Sequence, residues 1–369
     1  MGVIRADASQ RLEIEEFKRM ILSCSALHKR KDEEEFKGGR YNNKEKEEGD
    51  DVMEKVVCVT SGVSYLGIAI VKQLLLRGYY VRLILDNQED VDKLREMQVS
   101  GEMSGSHNNL IEAVLAKLND PQSLLQAFHG CLGVFHTSAF IDPAGASGYS
   151  KHMVDVELNV SKNVMEACAD TPTVKHCVFT SSLLASIWQQ QHNSSTGPPY
   201  IIDHNSWSDE SICEDKKLWY ALGKLRAEKV AWDIARERGL KLATICPGLI
   251  TGPDFSNRNP TSTIAYLKGA KEMFTEGLLA TVDVEKLAKA HVTVYEAMGK
   301  EASNCRYFCY DQIIRSAEDA QMLAREAEVD LNRIITPHQD SCSSNHPRRF
   351  NLSNFRLMST TARCYHSRE

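Results

Sequence analysis

The sequence has no apolar run long enough to cross a membrane. The best candidate, around Leu74–Leu85, is interrupted by Arg77 and Arg82, well short of the ~18–20 residues a bilayer span requires. It also lacks a C-x-x-C pair: the 11 cysteines are scattered, and the closest two, Cys305 and Cys309, have no His or Cys cluster nearby to complete a metal site. The N-terminus has no signal-peptide h-region, and Ala6 stands where a myristoylation motif wants Ser or Thr. Reduced thiols in a cytoplasmic protein, with no membrane partner and no metal, is the expectation. No charge sign dominates, since 44 basic and 50 acidic residues leave a net charge of −6. That balance argues against nucleic acid as a partner. No G-x-S-x-G elbow surrounds the Ser-rich segment near position 181, which excludes a serine hydrolase of that type.

What is present is an ordinary soluble composition, 42% hydrophobic and 25% charged over 369 residues. Collagen-like, coiled-coil and wholly disordered chains are excluded by it. Apolar spacing at Ile14, Phe17, Ile21, Cys24 and His28 predicts a short helix, and Lys29–Asp51 is a charge run that reads as a mobile linker. Residues 1–52 are therefore expected to form a charged extension. Residues 53–250 alternate short apolar strands with helices. The strands are Lys55–Thr60, Tyr80–Leu85, Gly133–Thr137, His176–Thr180 and Leu242–Cys246; the helices are Ile68–Arg77, Ser123–Phe128, Met153–Ala169 and Tyr220–Arg238. Such alternation predicts an α/β fold, a doubly wound parallel sheet of Rossmann type. The pattern becomes irregular over 251–335, which suits a smaller substrate lobe with returning elements. Residues 336–369, rich in Ser, Asn, His and Arg, read as a disordered tail.

Two constellations carry chemistry. The first strand ends in Thr60-Ser-Gly-Val-Ser-Tyr-Leu-Gly67, placed where backbone amides and a helix N-terminus can face a pyrophosphate. Serines occupy 61 and 64, where glycine is the permissive residue. Asp86 follows the second strand, where a carboxylate can bind ribose hydroxyls. The second constellation is Tyr220-x-x-x-Lys224, one helical turn apart on one face, preceded by Val178-Phe-Thr-Ser-Ser182. An ammonium so placed is expected to lower the phenol pKa for acid–base work. His136 reads as packing rather than catalysis.

The phrases Gly133-Val-Phe-His-Thr137, Val178–Ser182, Ser206-Trp-Ser-Asp209, Trp219-Tyr220 and Arg306-Tyr-x-Cys309 resemble the extended short-chain dehydrogenases/reductases. The likeness runs from about Lys55 to Leu331 and is greatest to the plant cinnamoyl-CoA reductase and dihydroflavonol 4-reductase group. The resemblance implies an NADP(H)-dependent oxidoreductase acting on a hydrophobic carbonyl or acyl-CoA thioester in phenylpropanoid or lignin metabolism. It implies Ser182, Tyr220 and Lys224 as the catalytic set. Cofactor contacts are expected at Ser61, Ser64, Tyr65, Leu66 and Gly67, at Asp86, Leu118 and Thr137, and at Tyr220, Lys224 and Pro247. The chain departs from the group where Asp86 replaces an Arg, Lys117 an Asp and Leu218 an Asn, and Gln189–Gly197 lengthens the Ser-to-Tyr interval. Asp86 suggests NAD(H) as an alternative cofactor. Another class of function is a nucleotide-sensing or scaffolding relative, with an impaired turn and a protein partner held by the N-terminal extension.

Overall fold

The computed structural model describes residues 55–99, 110–137, 149–190, 199–299, 304–335 and 349–366. The expected helix at 9–28 and linker at 29–51 lie outside them.

Seven strands form one wholly parallel sheet: β1 (Val56–Val59), β2 (Tyr80–Leu85), β3 (Ile111–Leu115), β4 (Gly133–His136), β5 (His176–Thr180), β7 (Lys241–Pro247) and β10 (Cys305–Cys309). Between β5 and β7 the chain makes a short strand, β6 (Tyr200–Ile202). In the sheet the order is β10-β7-β5-β4-β1-β2-β3. It reverses direction between β1 and β4, the switch point where open α/β sheets bind ligands at the carboxyl ends of their strands. The strands expected from sequence omit β3 and β10, whose short runs carry Glu112 and Arg306 among apolar residues.

Alternation along the strands covers both faces. Val57, Val59, Leu83, Phe135 and Val178 join one apolar cluster with helices Tyr65–Leu75 and Val284–Met298. Cys58, Ile84, Val134, Cys177 and Phe179 join the other, with helices Pro121–Phe128, Lys151–Asp170 and Trp219–Arg238. Neighbouring side chains of one strand must point to opposite faces. A strand apolar at every position is therefore buried on both sides.

A second sheet of β8 (Leu249–Thr251), β9 (Ala280–Asp283) and β11 (Gln312–Ile313) follows Pro247, with β8 and β9 parallel and β11 antiparallel to β9. The disordered-tail expectation is corrected for 349–366. There β12 (Phe350–Leu352) pairs in parallel with β6, and helix Phe355–His366 packs on helix Val284–Met298 and on β10. Phe350 and Leu357 are buried, and the Tyr310 hydroxyl donates to the Leu352 carbonyl at 2.8 Å. Its helix carries Phe355, Leu357, Met358 and Tyr365 among its apolar residues, and the segment is held by pairing with parts of the chain distant in sequence.

Candidate active site

The turn after β1 is built by its serines rather than strained by them. Ser64 sits at φ −74°, ψ 163°, accepts from the Gly67 amide at 3.1 Å and donates to the Ser61 carbonyl at 2.7 Å. It is thus the N-cap of helix Tyr65–Leu75. Neither serine is among the described non-glycine residues of positive φ, so the expected conflict with a left-handed backbone does not arise. Gly67 is required for another reason: a Cβ there would lie 2.0 Å from the Ser61 carbonyl oxygen. Tyr65 and Leu66 begin the helix, and first-turn amides have no intrahelical acceptor, which leaves them for an anion. Thr60 ties the turn to β4: its Oγ1 lies 3.0 Å from His136 Nδ1 and accepts from the Thr137 amide at 3.2 Å. Burial pushes the His136 imidazole down to about 4, so it is neutral, a packed and satisfied side chain.

From the turn a cavity of about 950 Å³ runs outward past Ser61, Asp86, Lys93, Lys117, Leu118 and Arg258. Its size and its place beside a helix N-terminus fit the adenosine and phosphates of a dinucleotide. Acids and bases mix along it. Glu89 and Asp90 line it with Asp86, and Lys93 pairs with Glu89 at 3.0 Å. Arg82 lies away from it, donating to Glu112 at 2.7 Å and to the carbonyls of Ala127 and His129. Arg258 stacks over the Tyr65 ring at 5.6 Å.

A second, smaller pocket of about 40 Å³ lies at the carboxyl ends of β4, β5 and β7. Ser182, Tyr220, Lys224, Thr137 and Pro247 line it together with Ser64, Tyr65 and Leu66. The expected residues therefore fall into two adjoining cavities, with Ser64 and Tyr65 lining both; Gly67 packs beneath the turn. Ser182 is fixed because the flanking amides of Ser181 and Leu183 donate to the carbonyls of Ile245 and Pro247 on β7, both at 2.8 Å. Thr137 Oγ1 is buried and finds no hydrogen-bond partner among the described residues. Such a hydroxyl is costly to bury unless something bonds it, and its position on the pocket wall fits a ligand that would. At 40 Å³ the pocket holds only a few waters. A nicotinamide ring is larger than this space, so its entry would require the pocket to widen.

Tyr220 and Lys224 share one face of helix Trp219–Arg238, with Nζ 5.6 Å from the ring centroid. The structure adds a residue absent from the expected site. Glu157, on helix Lys151–Asp170, takes Lys224 Nζ on Oε1 at 3.0 Å and the Tyr149 hydroxyl on Oε2 at 3.0 Å. Burial works against the Lys224 charge, but Glu157 and Tyr220 outweigh it and hold the ammonium above the usual lysine range. Lys224 pulls the Tyr220 phenol down as expected, but the net shift is upward. Burial raises its phenol, and Glu157 adds to that against the pull of Lys224 and of Ser262 beside it. Glu157 was legible in principle: it is an acid on the apolar stripe Met153, Val154, Val160, Val164 of its helix.

Comparison with known proteins places these features. The model of the 3-beta hydroxysteroid dehydrogenase/isomerase family matches residues 58–336. Cinnamoyl-CoA reductase 1 of Petunia hybrida is 34% identical over 278 residues, covering 73% of this chain and 77% of the relative. Dihydroflavonol 4-reductase of Arabidopsis thaliana is 30% identical over 278 residues, covering 73% and 67%. Among solved structures, a yeast methylglyoxal/isovaleraldehyde reductase complexed with NADPH is similar in fold, with TM-score 0.61 and 17% identity over 83% of this chain and 93% of that one.

Proposed function

This chain belongs to the 3-beta hydroxysteroid dehydrogenase/isomerase family and is an oxidoreductase, and from that premise we propose that it reduces the thioester carbonyl of a hydrophobic aromatic acyl-CoA to the aldehyde. The observation that carries the reading is the convergence of Ser182, Tyr220 and Lys224 on one pocket at the carboxyl edge of the parallel sheet.

The turn amides of Tyr65 and Leu66, with Ser61 and Asp86, would hold the phosphate and adenosine half of a nicotinamide dinucleotide. Thr137, Pro247 and Lys224 would hold its reactive half. Bound there, the cofactor supplies the hydride that makes the carbonyl carbon tetrahedral. Ser182 Oγ donates a hydrogen bond to the carbonyl oxygen and orients it. Tyr220 Oη gives its proton to that oxygen as negative charge builds on it. Loss of the thiol from the resulting hemithioacetal, with the hydroxyl proton passing to sulfur, leaves the aldehyde, and a proton from solvent restores Tyr220 to complete the cycle.

Asp86, Glu89 and Asp90 line the outer cavity together with Lys93, Lys117 and Arg258; from Asp86 at the end of β2, able to accept from ribose hydroxyls, NADH is expected to bind at least as well as NADPH. A plant phenylpropanoid setting, lignin formation included, and a cytosolic location belong to the same proposal. Among the described residues no helix is long and apolar enough to cross a membrane. Incubation with a hydroxycinnamoyl-CoA and either cofactor, following absorbance at the nicotinamide band and aldehyde by chromatography, tests the reading. Absence of aldehyde with both cofactors, from protein that binds them, overturns it.

A further inference from the structure

The most unusual group near the chemistry is the Glu157 carboxylate. It is 1% exposed and its partner Lys224 is 2% exposed, so the pair is withdrawn from water. Lys224 Nζ donates to one carboxylate oxygen at 3.0 Å, and the Tyr149 hydroxyl lies 3.0 Å from the other, its single proton shared with the Met153 carbonyl at 3.1 Å. Tyr149 in turn lies edge-on to the Tyr220 ring, centroids 5.2 Å apart. Its hydroxyl is seated so closely that a Cβ at Gly223 would stand 3.2 Å from it. Glu157, Tyr149, Lys224 and Tyr220 are one packed assembly joining two helices.

We propose that Glu157 is a positioning residue that compensates the charge of Lys224 and keeps Tyr220 in its proton-donating form to higher pH than a bare Tyr–Lys pair would. A lone buried ammonium near a phenol stabilises the phenolate strongly, because little water screens it. Paired with a carboxylate, it presents a dipole, whose effect falls off faster with distance than that of a single charge. A phenol that stays protonated serves reduction, where it is the acid.

Other groups facing Tyr220 do not reverse this balance. His136 on β4 is neutral. Glu228, on the same helix as Tyr220, is held by Arg306 at 2.7 Å. Tyr266 and Ser262 on helix Pro260–Tyr266 line the pocket as uncharged hydroxyls. Glu157 is thus the charge that distinguishes this site from a bare Tyr–Lys pair.

The proposal rests on Tyr220 being the acid of the proposed reductase, and its test separates the two. The full chain carrying 13Cζ-tyrosine is titrated by NMR without cofactor or substrate, the Tyr220 resonance being identified by its loss in Tyr220→Phe. Free tyrosine ionises near 10; Tyr220 should ionise above that, and Glu157→Gln, which keeps shape and an acceptor, should move it down by about one unit or more. The alkaline limb of the reductive pH–rate profile should move by the same amount. A wild-type midpoint below that of free tyrosine overturns the proposal whether or not Glu157→Gln folds. So does an unchanged midpoint in a folded Glu157→Gln. A shifted midpoint in a protein that reduces nothing supports the role of Glu157 and refutes the reductase reading.

Discussion

Replacing Arg306 by Met removes the cation that neutralises the most buried acid among the described residues. Glu228 is 0% exposed and Arg306 4% exposed. The guanidinium grips both carboxylate oxygens, Nε to Oε1 at 2.7 Å and Nη2 to Oε2 at 3.0 Å. It also donates to Ser186 Oγ and the Ser206 carbonyl, and stacks on Trp207 at 3.8 Å. Glu228 keeps two further donors, Ser181 Oγ at 2.6 Å and Thr244 Oγ1 at 2.7 Å. They offset part of the loss and none of the charge. Breaking such a pair from one side costs about 3–5 kcal/mol, a large share of a typical stability of about 5–15 kcal/mol. Tm should fall by on the order of 6–15 °C. The sign of the pH dependence is diagnostic. In the parent, burial raises the Glu228 pKa, but Arg306, Ser181 and Thr244 hold it below the usual carboxylate range. Its stabilising contribution is therefore present above the unfolded-state value and is lost as the pH falls through the folded one. In Arg306→Met only the burial remains strong, so acid should relieve the variant while it weakens the parent. Urea unfolding at about pH 7 and about pH 5 should show the gap between the two proteins narrowing at the lower pH. A loss under about 1 kcal/mol near neutrality, or a gap that widens in acid, would refute the reasoning.

Tyr220→Phe removes the proton donor and keeps the ring, so cofactor binding should persist, by fluorescence titration, while turnover falls by about 10²–10⁴. Asp86→Arg places a cation in the 950 Å³ cavity beside Lys93 and Lys117; the NADPH-to-NADH affinity ratio should rise by roughly tenfold or more, measured as dissociation constants. Deleting 349–369 removes the β6 partner and uncovers part of helix Val284–Met298; calorimetry should show Tm lower by several degrees, and an unchanged Tm would mean that the pairing contributes nothing. Thr137→Val keeps the volume and removes the unpartnered buried hydroxyl; apo stability should hold or rise, while cofactor binding, read by titration, weakens by about tenfold.

The parallel sheet is legible in the amino-acid pattern because both of its faces are buried. Runs such as Val56–Val59 and Cys177–Phe179 are apolar throughout, and the turn, helix caps and Tyr220–Lys224 spacing are properties of neighbours in the chain. Local geometry sets these, and local sequence states it. Tertiary structure alone decided three matters. The ordered segment 349–366 is held by β6 and by helix Val284–Met298, partners that its own composition does not announce. The Tyr220 phenol is raised first by its burial and then by Glu157, an acid 67 residues from Lys224 in sequence, and together they outweigh the pull of Lys224 that the Tyr–Lys pair alone announces. The serines of the turn are accommodated because Ser64 is turned into a helix cap, its backbone on the side of φ that any residue can adopt. Spacing along a helix states which side chains share a face. The field at a buried atom is summed over every charge that the fold gathers round it, and that sum exists only once the chain has closed.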